Sequence, residues 1–305
     1  MHKTISRDKI KNLSNERPAP AGPIKALGQN FLRYEKIVWQ VIGVANLKPS
    51  DTVIEVGPGK GALTFKLAQK AGKVMAVEKD QRLAGLLQEK LSANDIKNVE
   101  IVNEDILNFQ FSPQCYSEPA GEESRDSSAI RPQNDRSNSN YKVVANLPYN
   151  IATAVIMKFL ETKNPPKLMV VIVQKEIGQK IAAKPPKMSK LSVFSQLYSE
   201  VKIVDYISRK CFYPQPKVDG AILLIQPKKI IIKPKALAIF TRIARAGFVW
   251  PRKQLANNLA KGLDIDKNKI NQWFGQNQIL PTRRPETLTV EEWIKLTESF
   301  PQVIM

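Results

Sequence analysis

The residues with the most to offer chemically follow an apolar run at 143–145 and read Asn146, Leu147, Pro148 and Tyr149. The amino nitrogen of adenine is a poor nucleophile because its lone pair is delocalised, so methylating it requires acceptors for its hydrogens. Asn146 offers a side-chain oxygen and Leu147 a backbone carbonyl, which Pro148 helps to aim because proline fixes the backbone. Tyr149 offers a ring on which a base taken out of its stack can lie. The group therefore predicts methylation of an exocyclic amine, with a plain strand end and turn as the alternative.

A glycine-rich stretch further upstream has the spacing of a methyl-donor site. It reads Glu55-Val-Gly57-Pro-Gly59-Lys-Gly61 and lies where an apolar run gives way to a helical pattern. Glycines at such a junction let the backbone approach a ligand closely and leave the N-terminus of the helix free to meet it. Dinucleotide sites use Gly-x-Gly-x-x-Gly. Gly-x-Gly-x-Gly with an acid two residues earlier instead predicts S-adenosylmethionine as the cofactor.

Two acidic residues follow the next two apolar runs. Glu78 ends the second run, where its carboxylate can accept hydrogen bonds from both hydroxyls of a ribose. Asp105 follows the third run, where it can accept from an adenine amino group. Either acid alone is more often a solvated loop charge. Their order along the chain, after the glycines and before Asn146, favours a role for both in binding the cofactor.

These residues require a sheet whose strands end side by side. Strand and helix patterns alternate along the chain, which predicts βαβ units and a parallel sheet covered on both faces. The predicted strands are 52–56, 73–77, 99–102, 142–145 and 168–173, and the predicted helices are 62–71, 81–91 and 152–162. Two more strands, at 201–207 and 219–225, are expected to form an antiparallel edge. The predicted fold class is α/β, a Rossmann-like class I methyltransferase domain with a mostly parallel sheet.

The remaining segments define the domain organisation. Residues 1–25 are polar, basic and proline-bearing and are interpreted as a mobile arm. Residues 112–140 contain few aliphatic side chains, which predicts a disordered insertion in the methyltransferase domain at 26–227. Residues 228–305 are predicted to form a small α-helical domain that binds RNA. Its predicted helices are 235–249, 252–261, 266–274 and 290–300.

The charge balance of the 305 residues indicates a polyanionic partner. Lys and Arg number 47 against 28 Asp and Glu, a net charge of +19, and residues 201–305 hold 18 basic and 8 acidic residues. Such an excess favours nucleic acid over a membrane surface. Arg245, Arg252 and Lys253 are the predicted phosphate contacts, which would position RNA without reading its sequence. The alternative is that they solvate a helix face.

The same composition excludes several kinds of site. Cys115 and Cys211 match no zinc spacing and His2 is the only histidine, so we expect neither a metal site nor a histidine-based triad. No apolar run approaches the roughly 18 residues of a membrane span, and the polar start does not resemble a signal peptide. The protein is therefore expected to be cytoplasmic, without membrane contact.

The aromatic residues are expected to differ in exposure. Trp39, Trp273 and Trp293 lie at helical spacing among aliphatic residues, which predicts core positions. Trp250 lies in the basic stretch and is expected to face solvent. Phe212, between polar neighbours, is interpreted as a base-stacking residue, with a hydrophobic plug as the alternative.

The motifs in this order resemble those of the KsgA-type ribosomal RNA adenine dimethyltransferases of the small subunit. The resemblance covers about residues 25–300 apart from the insertion and rests on four segments. They are Gly28-Gln29-Asn30-Phe31-Leu32, Asn146-Leu147-Pro148-Tyr149-Asn150-Ile151, Gln174-Lys175-Glu176 and Cys211-Phe212-Tyr213-Pro214-Gln215-Pro216-Lys217-Val218-Asp219. Two positions depart from the family's pattern: Leu27 replaces an aromatic residue, and Pro251 replaces a basic residue of the RNA-facing helix.

The resemblance implies a role for each part of the site. It assigns the cofactor to Gln29, Asn30, Leu32, Gly57, Gly59, Glu78, Asp105 and Asn146. It assigns catalysis to Asn146, Leu147, Pro148, Tyr149 and Phe212. The rings of Tyr149 and Phe212 would hold the target adenine between them.

The activity implied by the resemblance is a double methylation. Two methyl groups would pass from S-adenosylmethionine to N6 of each of two adjacent adenosines in the 3′-terminal hairpin loop of small-subunit (16S) ribosomal RNA, in the course of small-subunit maturation. The substrate would be this RNA or the pre-30S particle, and the enzyme is expected to be a monomer. The alternatives are a large-subunit (23S) methyltransferase of the macrolide-resistance type and a non-catalytic assembly factor. An oxidoreductase would require the other glycine spacing.

Overall fold

The computed structural model describes residues 22–110, 141–229 and 232–300. The predicted insertion at 112–140 and most of the predicted arm at 1–25 lie outside these ranges. No helix of the described ranges is both long enough and apolar enough to cross a membrane.

The chain divides into two compact units. The first is formed by residues 1–175 and 202–227, and the second by residues 176–201 and 228–305. The sequence analysis placed 176–201 in the methyltransferase domain, whereas the structure groups this segment with the C-terminal helices. The chain therefore enters the second unit, returns to the first, and then enters the second again.

Nine strands lie within the described residues. They are β1 (Phe31–Leu32), β2 (Thr52–Val56), β3 (Lys73–Glu78), β4 (Val99–Asn103), β5 (Tyr141–Asn146), β6 (Leu168–Gln174), β7 (Ser199–Ile207), β8 (Phe212–Tyr213) and β9 (Gly220–Pro227). Seven of them form one sheet in the order β4-β3-β2-β5-β6-β9-β7. β2 is parallel to both β3 and β5, and β6 is parallel to β5 but antiparallel to β9. The predicted fold class, a mostly parallel sheet with an antiparallel edge, is confirmed.

The centre of the sheet is apolar because both of its faces are covered. All five residues of β2 are buried, including Val53 and Ile54. The five central positions of β6 are buried in the same way. A near-continuous run of β-branched residues is what a parallel strand between two helical layers requires. Only the residues at the carboxyl ends of these strands are free to carry polar chemistry.

Ten α-helices complete the described structure. They are α1 (Glu35–Ala45), α2 (Thr64–Ala68), α3 (Gln81–Ala93), α4 (Ala152–Glu161), α5 (Lys175–Ala182), α6 (Lys190–Tyr198), α7 (Pro234–Gly247), α8 (Leu255–Leu263), α9 (Lys267–Gln276) and α10 (Val290–Ser299). Local sequence explains several of their starts. Asp80 caps α3 by accepting from the backbone N–H of Arg82, and Thr289 with Glu292 forms a capping box on α10.

The second unit has an aromatic core of its own. Trp273 and Trp293 are fully buried, as predicted, and the ring of Trp293 stacks on Phe248 with centroids 5.5 Å apart. The ring of Phe194 on α6 meets that of Phe240 on α7 edge to face at 5.9 Å, which explains why residues 176–201 belong to this unit. The prediction for Trp39 is wrong, because it is 37% exposed on α1. Helical spacing alone does not reveal which face of a helix is covered.

The short strands β1 and β8 form a separate antiparallel ribbon. Phe31 pairs with Tyr213 and Leu32 with Phe212. The backbone N–H of Arg33 extends the ribbon by donating to the carbonyl of Cys211 at 2.9 Å. Two segments that are about 180 residues apart in sequence, and that carry two of the four family-like motifs, are thus joined side by side.

Candidate active site

A cavity of about 490 Å³ opens at the carboxyl ends of β2, β3 and β5. This edge is where open α/β sheets bind their ligands. All eight residues that the resemblance assigns to the cofactor line the cavity: Gln29, Asn30, Leu32, Gly57, Gly59, Glu78, Asp105 and Asn146. Leu147 and Pro148 line it as well, whereas Tyr149 and Phe212 are not among the residues that line it.

The glycine loop forms one wall of the cavity in a conformation that needs glycine. Gly57 and Gly59 have φ angles of 63° and 57°, in the left-handed region. A Cβ atom on Gly59 would come within 2.8 Å of the ring of Phe31, and one on Gly57 would lie 3.6 Å from Pro148. The loop therefore fills the space between β1 and the catalytic motif, and its backbone faces the cavity without side chains in between.

Glu78 is a buried carboxylate that holds the glycine loop. One oxygen accepts from the backbone N–H of Gly59 at 3.0 Å and the other from the backbone N–H of Asp80 at 2.9 Å. Burial raises the pKa of Glu78, and these backbone hydrogen bonds oppose the rise. Each oxygen keeps a second lone pair, so the carboxylate can also accept from hydroxyl groups of a ligand in the cavity.

Asp105 lies on the same side of the cavity with a lysine partner. Its Oδ2 pairs with Lys79 Nζ at 2.9 Å, and its Oδ1 accepts from the backbone N–H of Leu107 at 2.9 Å. The hydrogen bond from Lys79 is the main reason that the pKa of Asp105 lies below its usual value. The group is therefore a fixed acceptor of the kind that an amino group on a purine requires.

Gln29 is hydrogen-bonded to Asp80, a residue that the sequence analysis did not identify. Its Nε2 donates to Asp80 Oδ2 at 3.0 Å, and its Oε1 accepts from the backbone N–H of Ile24 at 2.8 Å. Asp80 is 6% exposed and also pairs with Arg82 at 2.8 Å. The sequence signal that could have identified Asp80 is its place as the N-cap of α3, which explains the hydrogen bond from the backbone N–H of Arg82 but not the one from Gln29.

Asn146 presents an oriented acceptor to the cavity. Its Nδ2 donates to the backbone carbonyl of Asn30 at 2.8 Å, which fixes the side-chain amide. Its Oδ1 is buried and has no hydrogen-bond partner within the described residues. A buried acceptor without a partner costs free energy unless a ligand supplies the donor. The orientation is therefore suited to an N–H group of the substrate.

The two aromatic residues that were expected to sandwich a base lie next to each other. The ring centroids of Tyr149 and Phe212 are 6.4 Å apart, with an angle of 67° between the ring planes. Phe212 is 2% exposed, and burial raises the pKa of Tyr149 to about 12, helped by the charge of Asp219. In this arrangement Phe212 fills a hydrophobic position. A parallel stack around a base requires one of the rings to turn.

Glu55 is a second buried acid in the cavity wall. It is 1% exposed, and its Oε2 lacks a hydrogen-bond partner within the described residues. Burial raises the pKa of Glu55 to about 8. The charge of Glu78 adds to this rise, whereas the hydroxyl of Thr64 lowers the pKa. The sequence analysis used Glu55 to recognise the glycine motif but assigned it no contact.

These motifs, their order and their convergence on one cavity are those of a known family of RNA-modifying enzymes. The family described as ribosomal RNA adenine dimethylase matches residues 24–302. The chain belongs to this family. The resemblance inferred from the sequence motifs is thereby confirmed.

The curated relatives of this chain match it over most of its length. The protein named ribosomal RNA small subunit methyltransferase A of Dehalococcoides mccartyi (strain CBDB1) is 41% identical over 273 residues, which are 89% of this chain and 86% of the relative. The protein of the same name from Geobacillus sp. (strain WCH70) is 37% identical over 286 residues, 92% of each chain.

Two solved structures superpose on this family member along nearly their whole length. The 23S rRNA methyltransferase ErmE is 26% identical with a TM-score of 0.67, and the match covers 90% of this chain and 100% of that one. A dimethyladenosine transferase from Plasmodium falciparum is 22% identical with a TM-score of 0.69 and coverages of 90% and 98%. The similarity to the Plasmodium falciparum structure shows that the two chains share a fold.

The RNA contacts predicted for this chain lie in the second unit. Arg245 on α7 and Arg252 and Lys253 in the following loop are all exposed.

Among the described residues no group of three or more His, Cys, Asp or Glu side chains is arranged to hold a metal ion.

Tyr213 is a further residue of the cavity that sequence reasoning missed. It lines the cavity, is 45% exposed, and has the guanidinium of Arg33 5.7 Å from its ring centroid. The family motif pointed to its neighbour Phe212 instead. Strand alternation turns Tyr213 toward the opposite side from Phe212, and this became visible only once β8 was known to be a strand.

Proposed function

We propose that this chain dimethylates N6 of two adjacent adenosines in the 3′-terminal hairpin loop of small-subunit (16S) rRNA, with S-adenosylmethionine as the methyl donor, and so takes part in small-subunit maturation. The observation that carries the chemistry is the buried Oδ1 of Asn146, oriented by the carbonyl of Asn30 and without a partner within the described residues. The names of the curated relatives support the small-subunit target.

The cavity fits S-adenosylmethionine in its donor and acceptor groups. Glu78 and Asp105 are acceptors suited to the ribose hydroxyls and the adenine amino group, and the backbone of Gly57 and Gly59 leaves room for the methionine part. The unpartnered Oε2 of Glu55 suits a ligand that brings a cationic donor. When bound, S-adenosylmethionine supplies an electrophilic methyl carbon on a sulfonium sulfur.

The protein contributes position and electrostatic stabilisation to the reaction. Asn146 Oδ1 accepts a hydrogen bond from the target amine and favours a tetrahedral nitrogen, on which positive charge develops in the transition state. Pro148 packs beside Gly57, which keeps the acceptor and the glycine loop in register. Tyr149 supplies a ring for the extruded base. The proton leaves the nitrogen after the new bond has formed, so no residue has to remove it first.

The second unit is proposed to hold the RNA by its phosphates. Arg245, Arg252 and Lys253 are exposed in a region with a large excess of basic residues. Contacts of this kind position the enzyme without selecting a sequence. The substrate is the RNA or the pre-30S particle, and the enzyme acts as a monomer.

One observation supports a large-subunit target as the alternative. The solved 23S rRNA methyltransferase ErmE shares the fold and 26% of its residues with this chain. The relatives named as small-subunit enzymes share 37% and 41% of their residues with it, which favours the small-subunit target. A non-catalytic assembly factor would not require a side chain of Asn146 that is oriented to accept a hydrogen bond from the target amine.

The deciding experiment maps methyl groups on both ribosomal RNAs. RNA that lacks the modification is incubated with the enzyme and isotope-labelled S-adenosylmethionine, and its nucleosides are analysed by mass spectrometry. Dimethyladenosine at two adjacent positions near the 3′ end of 16S RNA is expected. Label on 23S RNA alone would replace the proposal by the large-subunit alternative, and no label on either RNA would refute both.

A further inference from the structure

The loop between α7 and α8 presents a tryptophan to solvent within a basic surface. Trp250 is 41% exposed and its neighbour Val249 is 51% exposed. Trp273 and Trp293 of the same unit are completely buried. Tryptophan combines a large apolar ring with a polar N–H group and is enriched at interaction sites. The sequence analysis expected Trp250 to face solvent but assigned it no function.

Hydrogen bonds hold this loop in one conformation. The buried side chain of Asn258 donates through Nδ2 to the carbonyl of Gly247 at 2.6 Å and to that of Trp250 at 2.9 Å. The backbone N–H of Lys253 donates to the same carbonyl of Trp250 at 2.9 Å. Pro251, the second residue of the resulting turn, limits it further. A loop whose backbone is held in this way loses little conformational entropy when a ligand stacks on the ring that it carries.

The charges around Trp250 indicate the chemistry of its ligand. Lys261 Nζ lies 4.9 Å from the ring centroid, and the exposed Arg252 and Lys253 follow in the same loop. Residues 245–263 contain no Asp or Glu. The surface therefore suits a ligand that combines a flat face with negative charge, and a nucleotide has both.

We propose that the Trp250 platform, formed by Trp250, Arg252, Lys253 and Lys261, binds an unpaired nucleotide of the RNA substrate. The base stacks on the ring of Trp250, and the flanking phosphates contact the arginine and the lysines. The nucleotide is unpaired because a base inside a duplex has both faces covered by its neighbours. The proposal rests on the proposed RNA-methylating function and adds a second base-binding position, in a different unit from the cavity.

The test compares two RNAs and three variants of the full-length enzyme. One RNA is a hairpin with an unpaired loop, and the other is a blunt duplex with the same number of phosphates. The variants are Trp250→Ala, Trp250→Phe and, as a control for loss of an exposed apolar side chain in the same unit, Leu280→Ala, which is 68% exposed in the wild type. Affinities are measured at several salt concentrations.

The expected pattern separates stacking from charge. Trp250→Ala should weaken binding of the hairpin roughly 5- to 100-fold, the range for loss of one stacked base, with an unchanged salt slope and unchanged duplex affinity. Trp250→Phe should retain most of the affinity, and Leu280→Ala all of it. Methylation by Trp250→Ala should show a raised KM for RNA with an unchanged kcat, because the ring does not touch the reacting atoms.

A second measurement does not depend on the alanine variant. In a Trp39→Phe enzyme the remaining exposed tryptophan within the described residues is Trp250, so the hairpin should quench the fluorescence and the duplex should not. Equal quenching by both RNAs, or unchanged hairpin affinity of Trp250→Ala, would overturn the platform while methylation by the wild type continued. Loss of the proposed function would appear differently, as absence of methylation by the wild-type enzyme itself.

Discussion

The cavity of the first unit and the Trp250 platform of the second are both suited to nucleotide chemistry, but they use polar groups in opposite ways. In the cavity, Glu55 and Glu78 are almost completely withdrawn from water and Asn146 is half-buried, and Glu55 and Asn146 each keep a buried oxygen without a partner among the described residues. On the platform, Arg252 and Lys253 are exposed and their charges act through solvent. Individual atoms should therefore decide function in the first unit, whereas the sum of charges should decide it in the second.

The largest expected effect tests the cavity side of this comparison. Asn146→Ala removes one preorganised acceptor, so turnover should fall by roughly 100-fold or more, on the order of 3 kcal/mol at the transition state. Affinity for S-adenosylmethionine should stay close to that of the wild type, because Gly57, Glu78 and Asp105 remain. Single-turnover kinetics together with calorimetry would show both. Near-normal turnover would rule out the role of Asn146.

The second prediction uses the pH dependence of stability. Because the pKa of Glu55 is raised from 4.5 to about 8, the unfolded chain releases this proton in that pH interval while the folded protein keeps it, so stability falls as the pH rises from 4.5 to 8 and the loss is constant above pH 8. Glu55→Gln removes the loss. Its free energy of unfolding should therefore exceed that of the wild type by on the order of a few kcal/mol at pH 8, but not at pH 4.5.

Denaturant unfolding of the ligand-free protein across this pH range measures the difference. Glu89→Gln, at an exposed position of α3, controls for the exchange of an acid for an amide. An equal stability difference at pH 4.5 and pH 8 would show that Glu55 ionises freely, and the cavity would then be less withdrawn from water than its burial indicates.

A smaller loss of free energy, in this case of cofactor binding, is expected when Glu78 is replaced. Glu78→Ala removes hydrogen bonds to a charged acceptor, so affinity for S-adenosylmethionine should fall by roughly 1.5 to 3 kcal/mol. Glu78→Gln keeps one oxygen acceptor and should lose less. RNA affinity should not change in either variant. Calorimetry that found unchanged cofactor affinity would contradict the ribose assignment and reopen the identity of the cofactor.

The platform side should respond to charge rather than to single atoms. Reversing the charges of Arg252 and Lys253 should weaken RNA binding and reduce the log–log salt slope by about 0.7 to 0.9 for each phosphate that the enzyme no longer neutralises. The methylated positions should remain the same. The same reversal at Lys267 and Lys269, both exposed on α9, provides a control with an equal change of net charge. If the salt slopes of the two charge-reversal variants were identical, Arg252 and Lys253 would be interpreted as residues that only solvate the surface.

The smallest effect concerns a segment that belongs to neither region. Replacement of residues 113–140 by a short Gly-Ser linker should leave methylation and stability close to those of the wild type. The composition of the segment predicts few ordering contacts, and the cost of closing a loop grows slowly with its length. Activity assays and thermal unfolding test this. Loss of activity would reveal a third functional region.

The sequence predicted the sheet better than the details of the site. The bounds of β2 were predicted without error, because a mostly β-branched run, interrupted only by Glu55, ends at a glycine motif. α1 and α6 were missed as elements, because the exposed face of α1 carries Trp39 and α6 is buried or half-buried at every position after Lys190, so that neither helix shows a clear polar side. Local spacing identifies an element most clearly when its two faces differ strongly.

The contacts that escaped prediction join residues far apart in sequence. Gln29 meets Asp80, 51 positions away, and Asn146 meets Asn30, 116 positions away. No local pattern encodes such a pair, although each partner lies in or beside a recognisable motif. The same holds for the angle between Tyr149 and Phe212, which depends on the packing of β8 and not on the residue types.

The ribbon of β1 and β8 has a consequence for how the two ligands influence one another. Leu32 lines the cavity and its partner Phe212 lies beside Tyr149, so the same backbone hydrogen bonds support the proposed cofactor site and the proposed base site. A ligand that orders one strand lowers the cost of ordering the other. By thermodynamic reciprocity, any gain in RNA affinity caused by the cofactor equals the gain in cofactor affinity caused by RNA. Substitutions in the ribbon should consequently change the affinity for both ligands. The specificity for one ligand is therefore difficult to change in evolution without changing the specificity for the other.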